Sequence, residues 1–426
     1  MATAPGRDLL AAIRWLLRAS SHARADDVAT MIDEVAPHLG LRRITVYVVD
    51  YDQVLLIPLP KGDDPKIEGP PPPLATPTPE GLPEPDSPLP VEGTVAGRAF
   101  TDVSVQTSTG TSGPEDGFSI WAPVLDGTDR LGVLELALDH PVEIDAELHE
   151  DVVSFASFVA ELLTSRSLIG DRIERTRRRL PMLLEAELQW KLLPPLTFAS
   201  PRVSIAGVLA PTNEVAGDSF DYAVNGDIAH LCILDAMGHG MDAMLMSAVA
   251  VGAFRNGRRS GLDLLDTSRS MNKHLAAQFG ESRFVTAILG ELDLRTGTWR
   301  WITAGHPAAL LVRGSQVVKR LDSVVNPPLG LQHEPPTIGE ERLERGDRLL
   351  LYTDGVPEAR DEKGEFFGTD RLVDLVSREA AAGRPAAETM RRLNLAILSH
   401  QEGMLQDDAT TVMVEWAGDD VRRASP

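Results

Sequence analysis

The chain has 426 residues and a formal net charge of -22 at pH 7. This charge repels nucleic acid and anionic lipid surfaces, so neither is expected as a main partner. The length suits two or three domains of about 150 residues each, and 43% apolar residues suffice for packed cores. Cys232 is the only cysteine, which excludes an intramolecular disulfide and a cysteine-based zinc cluster. Since no apolar run approaches the roughly 20 residues of a membrane span, we expect a cytoplasmic protein.

Helical and extended patterns alternate in the first part of the chain. Apolar residues at helical spacing predict helices at residues 9–17 and 28–39. Two extended runs, 44–49 and 54–57, flank a polar turn and are typical of a hairpin. Residues 58–90 are crowded with proline, which predicts an irregular insertion.

A second strand pair follows the insertion. Residues 93–100 predict a short helix entered through glycine, and 119–124 pairs with 130–136 across a turn at Asp126 and Gly127. This order of elements, with the strand Leu-Gly-Val-Leu-Glu-Leu, resembles a GAF sensor domain over about residues 6–165. The resemblance implies a small-molecule or conformational input, with the ligand unknown.

A helical pattern leads out of this domain. Residues 152–163 predict an amphipathic helix that continues towards Leu192, with a kink or restart at Pro181. A seven-residue phase along it is incomplete, because Thr176 and Glu187 occupy two seam positions. The pattern therefore leaves two alternatives open, a coiled coil that forms a homodimer and a linker helix packed on its own domain.

The C-terminal half alternates strand-like runs, many joined by short turns, with separate helices. The predicted strands lie at residues 203–210, 228–234, 285–292, 299–303, 308–312, 348–353 and 410–416. The predicted helices lie at residues 239–256, 262–279, 370–382 and 386–401. Hairpin-joined strands with helices in separate runs favour an α+β class, with a layered β-sandwich flanked by helices, over a doubly wound parallel sheet.

Carboxylates occur where these predicted strands begin or end. Asp235 and Asp354 each end a strand, and the pair Asp407 and Asp408 precedes the last strand. If these strand ends meet at one rim of the sandwich, their like charges cannot all stay ionised without a cation.

Two further carboxylates, Asp218 and Asp221, lie in the predicted loop after the strand at 203–210. With them, the rim offers an oxygen-only set of donors. Mg²⁺ and Mn²⁺ prefer oxygen ligands and usually keep several waters. The sequence therefore predicts a hard-cation site.

Five separated motifs of this half resemble those of the SpoIIE/RsbU-type serine/threonine phosphatases, in the same order. They lie at residues 214–221, 235–240, 304–307, 346–355 and 407–410. This family is the bacterial regulatory branch of the metal-dependent PPM phosphatases, which are related to type 2C enzymes. The resemblance covers about residues 190–417, and residues 189–194 resemble the motif with which the family's catalytic domain begins.

The resemblance implies a centre of two Mn²⁺ or Mg²⁺ ions whose bridging water attacks phosphorus without a covalent phosphoenzyme. Carried over by motif, Asp235 would bridge both ions and the carbonyl of Ala236 would help to hold one. The remaining carboxylates of the implied catalytic site are Asp218, Asp354 and Asp407. Asp221 and Asp408 are either further ligands or residues that orient a water or a ligand.

Two positions depart from the family pattern without removing a ligand. Ala216 stands where the family commonly has a second glycine, and Ala236 occupies a variable position that contributes a backbone oxygen. His239 and His306 could protonate a leaving oxygen or bind a metal. A histidine beside glycine more often braces a loop through hydrogen bonds, so we predict structural roles for both.

These features predict a sensor-regulated phosphoserine/phosphothreonine protein phosphatase. The predicted domains are the sensor at 1–165, a helical linker at 166–194, the phosphatase domain at 195–417 and a tail at 418–426. The resemblance implies a phosphorylated STAS-domain anti-sigma-factor antagonist as the substrate, in a partner-switching stress or developmental pathway. It also implies that the helices before the catalytic domain and after the Asp235 loop reposition metal ligands. Two alternatives remain, a non-catalytic ligand-responsive signalling protein and a small-molecule phosphoesterase.

Overall fold

The computed structural model describes residues 8–62, 87–109, 117–178, 181–210, 217–280, 282–401 and 408–418. The chain divides into two compact units, Met1–Pro181 and Met182–Pro426. Both units combine helices with antiparallel sheets, which confirms the predicted α+β class. Most of the predicted insertion at 58–90 and of the predicted tail lies outside the described residues. In the part of the chain that is described, no helix is long and apolar enough to cross a bilayer.

The N-terminal unit contains one six-stranded sheet in the order β3-β2-β1-β6-β5-β4. Its elements are α1 (Leu9–Ser20), α2 (Val28–Glu34), β1 (Arg43–Val49), β2 (Leu55–Pro58), β3 (Leu89–Pro90), α3 (Val95–Thr101), β4 (Gln106–Thr109), β5 (Phe118–Asp126), β6 (Asp129–Leu138), α4 (Ala146–Ser167) and α5 (Arg172–Arg177). Both predicted hairpins are confirmed as antiparallel pairs, β1 with β2 and β5 with β6.

Alternation along the strands gives this sheet two apolar faces. Leu134 of β6 belongs to the core that also contains residues of α1, α2 and α4, whereas Val133 belongs to a separate core with Phe100 of α3 and Trp121. Successive side chains of a strand point to opposite faces, so one strand serves both cores. The assignment of this unit to the GAF class stays a prediction.

The predicted continuous helix towards Leu192 is wrong. Helix α4 ends at Ser167, and α5 ends at Arg177 with an extended residue after it. Gly170 lies in the first break, where an added Cβ atom would come within 2.5 Å of the Ala25 side chain. The chain then packs back on its own unit, which helical periodicity alone does not reveal. Whether the chain dimerises through this segment stays a prediction.

Long-range polar contacts hold α5 in this position. The Arg172 side chain donates to Asp26 at 2.8 Å and to the Gly62 carbonyl at 2.7 Å. The Arg177 Nε atom donates to the Val49 carbonyl at 3.0 Å. Tyr51 donates to Glu174, which adds a fourth contact between α5 and the rest of its unit.

The C-terminal unit contains two sheets. Its elements are α6 (Leu184–Leu192), β7 (Thr197–Ala199), β8 (Val203–Ala210), β9 (Asp218–Asn225), β10 (Ile228–Ala236), α7 (Gly240–Arg259), α8 (Leu264–Phe279), β11 (Val285–Asp293), β12 (Thr298–Ala304), β13 (Leu310–Arg313), β14 (Gln316–Arg320), β15 (Gly339–Arg342), β16 (Arg348–Tyr352), α9 (Gly355–Glu358), α10 (Gly368–Ala381), α11 (Ala386–His400) and β17 (Ala409–Trp416). The sheet orders are β15-β12-β11-β10-β9 and β14-β13-β16-β17-β8-β7.

These sheets form a sandwich with helices on both outer faces. The core between the sheets contains Phe220, Ile233 and Trp299, together with Leu351 of the opposite sheet. Residues of α7 and α8 cover the outer face of the five-stranded sheet, and residues of α10 and α11 cover that of the six-stranded sheet. Each sheet is therefore buried on both faces, which agrees with near-continuous apolar runs such as residues 231–234 of β10.

Close packing of Trp299 against β11 gives a stability prediction. A Cβ atom at Gly290 would lie 1.9 Å from the Trp299 ring, so Gly290→Ala forces the indole or the strand to move. We expect the free energy of unfolding to fall by about 1–3 kcal/mol, measured by urea denaturation. Gly252→Ala is the control, because this α7 glycine has nothing within 4 Å of an added Cβ atom. Equal urea midpoints for Gly290→Ala and the unchanged chain would contradict the packing described.

Candidate metal centre

The register of two neighbouring strands brings two of the predicted carboxylates together. Asp218 of β9 lies directly opposite Asp235 of β10 in the antiparallel ladder. By the alternation of strand residues, Asp218 shares its face with Phe220, and Asp235 shares its face with Ile233. Both apolar side chains belong to the core between the sheets, so the two carboxylates lie at the rim of that core.

The opposite sheet supplies a hydroxyl to this rim. Thr353, directly after β16, donates its Oγ1 hydrogen to Asp218 Oδ2 at 2.6 Å, and both residues are buried. Burial raises the pKa of Asp218 well above its ordinary value, and the charges of Asp235 and Asp408 raise it further. A carboxyl in this position gains its charge when a cation compensates the neighbouring carboxylates.

Asp408 precedes β17 and holds the β9 end of the site through its Oδ2 atom. It accepts hydrogen bonds from the backbone nitrogens of Gly217 and Asp218 at 2.9 and 3.3 Å. It also accepts from Gln189 Nε2 of α6 at 2.9 Å. These contacts favour the alternative in which Asp408 orients other groups of the site.

Gln189 is a site residue whose role sequence reasoning missed. Its side chain is fully buried, and Nε2 also donates to the backbone carbonyl of Asp218 at 2.9 Å. The signal in the sequence was a polar residue inside the motif that begins the catalytic domain. The partners lie 29 and 219 residues away, which spacing along one helix cannot indicate.

Asp354 is exposed beside this rim, at the start of α9. An added Cβ atom on the next residue, Gly355, would come within 1.9 Å of the Asp408 carbonyl oxygen, so the two chain segments touch here. Ala236 is buried at the end of β10, and its backbone oxygen would lie 3.1 Å from a Cβ atom on Gly217. Asp407 and Ala216, which the sequence also singled out, lie outside the described residues.

The structure corrects the predicted position of Asp221 and favours the alternative in which it is not a metal ligand. The residue lies within β9 rather than in a loop, on the face opposite to Asp218. Arg255 donates to its Oδ1 atom at 2.7 Å, and Arg258 donates to its Oδ2 atom at 2.8 Å. Both arginines belong to α7, so Asp221 fastens that helix to the sheet and its charge is compensated without a metal.

A hard divalent cation fits the chemistry of the rim. Asp218, Asp235 and Asp408 are oxygen donors, and their mutual repulsion is the condition that a cation relieves. Within the described residues, no three acidic or histidine side chains are already arranged around one point as a metal site requires. Asp407, the remaining predicted ligand, is not among those residues.

The two histidines differ in their surroundings. His306 is buried, and its Nδ1 atom lies 2.8 Å from Thr286 Oγ1, on the residue that pairs with Asp235 in the ladder. Burial lowers the pKa of His306 to about 3. His306 is therefore neutral and supports the strand next to Asp235, whereas His239 is exposed before α7.

The lowered pKa of His306 gives a pH prediction. Between pH about 6.5 and about 3, the unfolded chain protonates this imidazole while the folded chain does not. Stability that is present above pH about 6.5 is therefore lost as the pH falls. Urea unfolding at pH 7.5, 6 and 5 should show a steeper loss for the unchanged chain than for His306→Gln. Parallel pH dependences would show that the folded state can protonate this ring.

The similarity to known proteins includes the part of the C-terminal unit that contains most of the site. Residues 225–417 match the sequence model of the family Stage II sporulation protein E (SpoIIE). Protein IcfG of Synechocystis sp. is 25% identical over 328 residues, which cover 68% of this chain and 51% of that protein. This chain thus spans about half the length of that relative.

Two further relatives come from Bacillus subtilis (strain 168). Phosphoserine phosphatase RsbU is 21% identical, with 64% of this chain and 82% of that protein covered. Phosphoserine phosphatase RsbP is 30% identical, with 36% of this chain and 40% of that protein covered. The C-terminal unit, with its ordered aspartate motifs and its sandwich between α7–α8 and α10–α11, therefore contains a region, residues 225–417, that matches the SpoIIE family.

Proposed function

We propose that the chain is a metal-dependent protein serine/threonine phosphatase. The observation that carries the proposal is the buried Asp218, held opposite Asp235 and close to Asp408 at the rim between the sheets. Such a group of like charges lowers the stability of the fold when no cation is bound. Its presence at the edge of a packed core therefore supports metal binding. The names of the relatives RsbU and RsbP support phosphoserine as the substrate group.

In this proposal the ions are two Mn²⁺ or Mg²⁺ ions, held by aspartate oxygens and one backbone carbonyl. The proposed ligands are Asp218, Asp235, Ala236, Asp354 and Asp407. When bound, such ions supply Lewis-acid chemistry that activates water and offsets the charge on the phosphoryl group.

The residues around the proposed ligands orient them. Thr353 fixes the Oδ2 atom of Asp218 from the opposite sheet, so the second oxygen keeps a defined direction. Asp408 fixes the backbone that leads into Asp218. Gln189 ties α6 to both residues. Supporting contacts of this kind fix ligand geometry and affect affinity nearly as much as the ligands themselves.

The proposal also includes the protein substrate and the regulation of the reaction by the N-terminal unit. We propose a phosphorylated STAS-domain anti-sigma-factor antagonist as the substrate, dephosphorylated in a partner-switching pathway. The similarity to phosphoserine phosphatase RsbU supports phosphoserine as the group that is hydrolysed. We propose that the N-terminal unit regulates this reaction, since α6 carries Gln189 and begins directly after that unit ends. Equal rates and Mn²⁺ affinities for the full chain and residues 182–426 would contradict that regulation.

The catalytic proposal predicts loss of activity in Asp235→Asn. We expect hydrolysis of a phosphoserine STAS-domain protein, assayed with Mn²⁺, to fall by more than about 100-fold, because a carboxylate ligand is lost. A chelator should abolish the activity of the unchanged chain. Asp322→Asn, at an exposed position away from the site, is the matched control. Faster turnover of nucleotides than of the phosphoprotein would instead favour the small-molecule phosphoesterase.

The contacts of Gln189 predict a separate effect on metal affinity. Gln189→Leu removes both hydrogen bonds of the amide and keeps an apolar side chain in the buried position, so Asp408 loses the Gln189 donor. We expect the Mn²⁺ concentration for half-maximal activity to rise by about 10- to 100-fold. Leu184→Ala, at an exposed position of the same helix, should leave it unchanged. An unchanged Mn²⁺ requirement in Gln189→Leu would show that α6 does not support the site.

A further inference from the structure

An arginine of the loop between α8 and β11 lies beside the turn that links the acidic rim to α7. The ladder between β10 and β11 pairs Asp235 with Thr286 and Ala236 with Val285. It continues beyond the strand ends, where the Met237 nitrogen donates to the Phe284 carbonyl at 3.1 Å. Arg283 is the next residue, so its backbone lies beside the turn that leaves Asp235.

The Arg283 side chain extends over this turn. Its Nη2 atom lies 3.2 Å from Asp242 Oδ2, and a Cβ atom on Gly238 would lie 4.0 Å from Nη1. Gly238 has a φ of +94°, a conformation that suits glycine, and it leaves open space beneath the guanidinium. The guanidinium therefore lies beside Gly238, the third residue after Asp235 in the chain.

The backbone and the charged end of Arg283 are held to different degrees. Val285 exchanges two backbone hydrogen bonds with Leu329, at 3.0 and 2.9 Å, and the Arg283 carbonyl packs closely against Gly330. The ion pair itself is open to solvent, since Arg283 is 40% and Asp242 73% exposed. Exposed ion pairs are weak, so an anion with higher charge can displace Asp242 from the guanidinium.

We propose that Arg283 binds the phosphoryl group of the substrate and that Asp242 pairs with the guanidinium until the phosphoryl group replaces it. This inference rests on the proposed phosphatase function. The chain has a net charge of -22 and a rim of carboxylates, and both repel a phosphorylated protein. A guanidinium beside the rim offsets part of this repulsion. The planar guanidinium also matches phosphate oxygens in a two-point contact that a lysine cannot reproduce.

Steady-state kinetics and phosphate binding test the proposal on the full Mn²⁺-loaded chain. Arg283→Met should raise KM for a phosphoserine protein and the calorimetric Kd for inorganic phosphate by about 10- to 100-fold. Arg283→Lys should recover part of this loss. Asp242→Asn should lower both constants, because the competing carboxylate is gone. Arg300→Met is the control, because it removes an exposed arginine of β12 that pairs with Glu340 of β15.

The outcomes separate this proposal from the one it rests on. Phosphate binding needs no turnover, so an inactive chain would count against the phosphatase while leaving the Arg283 measurement intact. Unchanged KM and phosphate Kd in Arg283→Met would overturn the proposed contact. A parallel loss of Mn²⁺ affinity would also overturn it, because Arg283 would then act on the structure of the rim.

Discussion

Repulsion among carboxylates at the rim between two sheets is the constraint on which the C-terminal unit depends. Asp218 and Asp235 face each other because antiparallel pairing fixes the register of β9 and β10. Shifting that register by one residue would turn Phe220 and Ile233 out of the core, so apolar packing holds the charges together. The large core thus stabilises a local arrangement that is unfavourable by itself, as is common at functional sites.

The same strand shows two ways of compensating a buried carboxylate. On the helix side of β9, Asp221 receives two guanidinium groups from α7 and forms a permanent structural tie. On the core side, Asp218 receives a hydroxyl hydrogen bond and two neighbouring negative charges. The charge of Asp221 is compensated by the two arginines, whereas the negative charge around Asp218 is available to a cation. This contrast distinguishes the structural Asp221 from the proposed metal ligand Asp218 in the same motif.

Much of this architecture could be predicted from the sequence because apolar alternation and turns are local signals. Strand β9 could not, since its carboxylates at 218 and 221 are typical of a loop, and the arginines that compensate Asp221 come 34 and 37 residues later. The break after α4 was missed for a related reason. Arg172 and its partner Asp26 are 146 residues apart, and helical periodicity contains no information on such a contact.

The position of β17 in its sheet affects how the unit can be made. This strand lies between β8 and β16, so one half of the six-stranded sheet cannot join the other until residues 409–416 have been synthesised. Its partner β8 is synthesised about 200 residues earlier and stays unpaired on that edge until β17 is available. Pairing between strands so far apart in sequence slows folding. A nascent or cleaved chain that stops before this strand also lacks the Asp408 ties to Gly217 and Gln189. Assembly of the acidic rim is therefore a late event, and a fragment that ends before residue 408 cannot form the complete rim.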